Sequence, residues 1–175
     1  MAELSTEHKR ANRLHLAIFD MQDARRYLEA YAELGKLPEG LPPGLGDTVK
    51  ESLIVAAIVA YCRPFTTNTS GGQALSKLAI DEFWWVNNNA AQKALHVLVM
   101  TKRSKFVAHA DWVARSTEIV SLTATGVQRT FSDPDLMEGL DPQEFHALAV
   151  AIEQDCFYQA MALQHWMHKD HGPIG

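Results

Sequence analysis

The chain is poor in cysteine: Cys62 and Cys156 are the only two in 175 residues, each inside an apolar stretch and neither with a second Cys or His at metal-finger spacing. That excludes a disulfide-stapled scaffold and a zinc finger, and it reads as two small buried thiols in a reducing compartment. Long apolar runs are also missing. The longest, Leu53 to Tyr61, falls far below the roughly 18 to 20 residues that cross a bilayer, so no membrane span is expected. Met1 to Arg10 is polar with no apolar segment behind it, which predicts no secretory signal and a cytoplasmic chain. Positive charge is in deficit, with 16 Lys plus Arg against 21 Asp plus Glu and a net charge of −5. Such a total repels a polyanion at long range, so any nucleic-acid contact must be local. Low-complexity tracts and internal repeats are absent, and the hydrophobic content of 47% suits one sizeable core. The expected organisation is a single domain over residues 1–175.

Apolar periodicity supplies the elements. From Thr6 to Leu34, the residues Leu14, Ala17, Ile18, Met21, Ala24, Leu28 and Tyr31 recur at steps of three and four, which predicts a long amphipathic helix capped by Ser5 or Thr6. Gly35 and the Pro38 to Pro43 stretch end it. Asp47 is the expected cap of a second helix. Its stretch from Val49 to Cys62 is apolar almost all round, as befits the central helix of a bundle. Pro64 biases Arg63 away from helical angles, so the chain is expected to turn there. A short helix is predicted over Ala74 to Trp85, with Trp84 and Trp85 read as core residues ahead of a base-stacking role. Asn87, Asn88 and Asn89 then cap a third long helix from about Ala90 to at least Ala108. Thr117 to Phe131 favours extended structure with a turn at Gly126, a small β-hairpin. Asp141, Pro142 and Glu144 start the last helix, on which Phe145, Leu148, Ile152, Cys156, Gln159, Leu163 and Trp166 share a face. The fold class is therefore all-α, a four- to five-helix bundle with a small hairpin insertion near residues 117–131.

The chemistry concentrates on the third long helix. Between Lys93 and Arg115 five basic residues face the single acid Asp111, and Lys102, Arg103, Lys105, His109 and Asp111 fall within ten residues. A positive spot is thus written into an acidic protein, and phosphate is its natural complement. On an ideal helix His96 and Arg103 share a face, beside the stripe of Leu95, Val99, Phe106, Ala110 and Val113. His109 is then turned about 120° from Arg103. The two meet if the helix breaks near Ala108, if the Arg103 side chain folds along the surface, or if the stripe packs on a second copy of the chain.

The string Arg103-Ser104-Lys105-Phe106-Val107-Ala108-His109-Ala110-Asp111 resembles the R-x-K-x-x-A-H-x-D variant of the R-x(4–6)-H signature of the HEPN superfamily, whose members are four- to five-helix bundles. The upstream Tyr61-x-Arg63-x-Phe65 is similar to a Y-x-R-x-F string in the branch linked to phage abortive infection. Ser104 is a departure, standing where active members usually carry Asn, Asp or His. The resemblance implies cofactor-free, metal-independent RNA cleavage of the toxin or phage-defence type by a homodimer, with an antitoxin protein as a further partner. Mapped onto this chain, His109 would be the base for a ribose 2′-OH and Arg103 would hold the scissile phosphate. Ser104, Lys105, Lys102, Arg63 and His96 would support binding of RNA or of a nucleotide phosphate. Asp111 would either orient His109 or pair with Arg63 or Lys105.

A different reading fits the same residues. A cationic helix face is most often solvated, and a His beside an apolar stripe is most often packed and hydrogen-bonded. On that reading the chain is a non-catalytic interaction or regulatory module, acting as a homodimer, with Arg103 to Asp111 as a structural clasp. His165, His168 and His171 are read as a polar tail, since zinc ligands on one helix face sit four apart more often than three. No metal site is assigned.

Overall fold

The computed structural model describes residues 5–34, 44–66, 77–108, 117–123, 126–131 and 136–171. Four long helical segments build a bundle: α1 (Thr6–Leu34), α2 (Leu45–Cys62), α4 (Ala90–Lys102) and α5 (Pro142–His171), with the single turn α3 (Trp84–Asn87) ahead of α4. Strands β1 (Thr117–Thr123) and β2 (Gly126–Phe131) pair antiparallel, with an irregularity between Ile119 and Ser121. Among the described residues no helix is long and apolar enough to cross a membrane.

Helix α1 has the bounds its periodicity predicts and is opened by Ser5, whose Oγ accepts from the His8 backbone N–H. It buries Leu14, Ala17, Met21, Ala24 and Leu28. Its alanines let neighbouring backbones come close on two sides, and α1 packs on both α2 and α5. The helix at the centre is therefore α1. The expectation that α2 fills this place is corrected, because one face of α2 stays open, with Leu45 and Val49 exposed. Polar pairs fix an antiparallel register between α1 and α5: Glu29 meets His146 at 3.0 Å, Arg25 meets Glu153 at 2.7 Å, and His15 meets Gln164 at 3.0 Å.

Three local expectations also change. The N-cap of α2 is Gly44, in the left-handed region at φ 81°, and Asp47 lies in the first turn, where its carboxylate favours the helix dipole. Arg63 keeps right-handed helical angles despite the proline after it, and Arg63–Phe65 continues α2 as a 3-10 turn. The steric bias before proline is overcome because Arg13 of α1 ties this turn down, its Nη2 donating to the carbonyls of Arg63 and Pro64, both at 2.8 Å. The predicted helix over Ala74 to Trp85 is a 3-10 turn, Ile80–Glu82, followed by extended Phe83 and then α3; residues 74–76 lie outside the described ones. Phe83 breaks the helix by turning into the core, where its ring lies 6.0 Å from that of Phe65.

The core is aromatic where α2, α4 and α5 meet. Tyr61 lies 5.2 Å, edge-on, from Phe145 and 5.5 Å from Phe65. Both cysteines are free and buried, each pushed up to about 12 by loss of water.

Candidate functional site

Helix α4 begins at Asn89, whose side chain accepts from the Gln92 backbone N–H at 3.2 Å, and runs regularly to Lys102. From Arg103 to Ala108 the winding changes to a π-helix. A π turn carries more residues than an α turn and is found often at functional sites. His109 and Asp111 lie outside the described residues.

Arg103 is half-buried at the start of the π segment, and its backbone N–H donates to the carbonyls of Met100 and Val99. Its guanidinium is close enough to Cys62 to favour the thiolate, although burial dominates at that sulfur. Arg103 thus sits at the carboxyl end of α2, the end that also carries Arg63. Ser104 and Lys105 are exposed. They border an open groove of about 440 Å³ that His96, Val97, Met100 and Thr101 also line.

Three of the expected supporting residues have other duties. His96 is 7% exposed and shares a hydrogen bond of 2.9 Å between its Nδ1 and the Tyr61 hydroxyl. The Phe65 ring stands edge-on to it at 4.8 Å. Burial lowers its pKa from 6.5 to about 4, against a smaller pull from Asp81, so at neutral pH His96 is uncharged. It lines the groove as a neutral ring and brings no positive charge to a phosphate there. Lys102 is 4% exposed and is likewise removed from the solvent-facing set. Arg63 is exposed but lies 3.3 Å from Asp20 Oδ1 on α1, an ion pair across the helices. Burial raises the Asp20 carboxyl, and Arg63 and Arg13 partly offset this.

Sequence reading missed Arg13 and Asp20, which brace this end of the bundle. Arg13 was detectable as an arginine on the apolar stripe of α1, next to Leu14. Asp20 pairs with a residue 43 positions away and carries no local signal. Trp84 is 73% exposed, so its reading as a core residue is also corrected; the Trp85 side chain lies outside the described set. No family model, curated protein or solved structure matches the chain.

Proposed function

We propose that the π-wound end of α4 binds the phosphate backbone of RNA and that His109 acts there as the base for strand cleavage. The observation that carries this reading is the exposed pair Ser104 and Lys105 on the rim of an open groove, directly after Arg103 in the same π segment. A cation and a hydroxyl at that edge, with a second cation next to them in the chain, provide the charge-assisted and neutral donors that a phosphate accepts. The resemblance of residues 103–111 to the HEPN signature supplies the reaction. A neutral imidazole takes the proton of a ribose 2′-OH as that oxygen attacks the neighbouring phosphorus. The 5′-oxygen then leaves with a proton from the imidazolium or from water, giving a 2′,3′-cyclic phosphate and a 5′-hydroxyl. Arg103 would hold the non-bridging oxygens, where charge builds up in the transition state.

Purified protein is expected to cleave RNA in the presence of EDTA and leave 2′,3′-cyclic phosphate ends. His109→Ala should abolish cleavage while retaining RNA binding and the far-ultraviolet circular dichroism of the bundle. Cleavage unchanged in that variant would reject the base assignment. Lys105→Glu places a like charge against the backbone and should weaken RNA binding by about tenfold at low salt, with less effect as salt rises.

The second reading is the interaction module. The engagement of His96 with Tyr61 and of Arg63 with Asp20 favours it, since both tie potential ligand groups into the fold. Protein that neither binds nor cleaves RNA would select it.

A further inference from the structure

The hydroxyl of Tyr61 and the ring of His96 fix each other's protons. The oxygen and Nδ1 lie 2.9 Å apart, and neither side chain has another hydrogen-bond partner among the described residues. Burial keeps the Tyr61 hydroxyl protonated. When that hydroxyl donates to Nδ1, its single proton is used and the neutral imidazole carries its own on Nε2. The other tautomer would strand the tyrosine proton in an aromatic core without an acceptor. His96 therefore presents an Nε2–H donor. Water reaches this atom, because the buried side-chain atoms without a partner among the described residues belong to Arg13, Arg25, Gln92 and Asp155. The open space beside His96 is the groove along α4. Phe65, edge-on at 4.8 Å, and Tyr61 hold the ring, so the donor is set before any ligand arrives.

The rest of the groove completes a pattern. His96, Met100 and Ser104 recur at steps of four, and Val97, Thr101 and Lys105 run beside them. The Thr101 hydroxyl donates to the Val97 carbonyl at 2.8 Å, so it offers a ligand no proton. Donors remain at the two ends. Nε2–H stands at one, and the Ser104 hydroxyl and Lys105 ammonium stand at the other, roughly 12 Å away at the rise of a helix. Between them lie Val97, 57% exposed, and the Met100 thioether, an apolar and polarisable strip suited to the face of a flat ring. Among the described residues no carboxylate lines the groove, and its volume of about 440 Å³ falls in the range of small-ligand sites. The ligand that answers this order has an anionic group at one end, a flat ring, and an acceptor on the far edge of that ring. A nucleotide is built in the same order.

We propose that the groove holds one nucleobase beside the bound phosphate and that His96 selects a base with a keto oxygen at the edge it meets. The keto oxygen accepts from Nε2–H, whereas an exocyclic amine sets donor against donor. Uracil is then favoured over cytosine. The proposal rests on the reading of Ser104 and Lys105 as phosphate-binding groups. Fluorescence anisotropy with 2′-O-methyl dodecamers of uridine and cytidine tests it, since these lack the attacking hydroxyl and differ in the base alone. The wild-type chain should bind the uridine dodecamer about tenfold more tightly. His96→Phe keeps a flat ring without the N–H and should bring the two affinities within about twofold of each other. The inosine and adenosine dodecamers differ by the same exchange of keto group for amine and should rank the same way on unaltered protein. Competition by uridine 5′-monophosphate assigns the site to a free nucleotide, and its failure to compete assigns it to a base within a chain. Equal wild-type affinities for uridine and cytidine, or a preference that persists in folded His96→Phe, would overturn the selection by His96 and leave RNA binding standing. Binding of none of these ligands would overturn it together with the phosphate-binding reading.

Discussion

His96 shows how one buried residue ties stability to pH. Its pKa is lowered from 6.5 to about 4 by burial, so between these values the unfolded chain binds the extra proton and the folded chain does not. Stability contributed by the neutral ring is complete above pH 6.5 and declines as pH falls toward 4, by about 3 kcal/mol in all. Urea titrations at a series of pH values should show the decline, and His96→Gln should flatten it. Its partner can be tested separately: Tyr61→Phe removes the hydroxyl that meets Nδ1 and should cost about 1 kcal/mol. Arg13 is the more demanding case. It is 3% exposed, burial pulls its pKa below the ordinary value, and it answers two backbone carbonyls at the end of α2. Arg13→Met would leave both carbonyls without that donor and should destabilise the chain by about 3 kcal/mol in urea unfolding, far more than an exposed arginine would.

At the scale of elements, ends are set by single residues and interiors by periodicity. Asn89→Ala removes the acceptor for the Gln92 N–H and should lower stability by about 1 kcal/mol. Gly44→Ala should cost a similar amount, about 1 kcal/mol, because a side chain is strained at φ 81° although the space around it is open. Both are read by thermal or urea denaturation. The long helices were legible because their signals are local: α1 follows its stripe of alanines and leucines, and α5 starts at Asp141, whose Oδ1 accepts from the Gln143 N–H at 2.7 Å. The π winding of Arg103–Ala108, which lies against α2, was not legible, since no residue type there demands it. The candidate site divides in the same way. Arg103, Ser104 and Lys105 announce themselves as a cluster, whereas the neutrality of His96 depends on Tyr61, 35 residues earlier, and on a depth that local sequence does not encode.

For the whole molecule, the governing feature is the place of α1 between α2 and α5. Polar links from α1 to α5 join residues 117 to 149 positions apart in the chain, as between Glu29 and His146 or between Arg10 and Gln159. Most small helical bundles are assembled from neighbours in sequence and fold rapidly for that reason. Here the first helix has to wait for the last before its second flank is covered, and the chain between them must be drawn closed first. The refolding limb of a chevron plot should accordingly be slower than is usual for a helical protein of this size. Conservative truncations such as Leu148→Ala, on the α5 side of that junction, should accelerate unfolding more than they retard refolding.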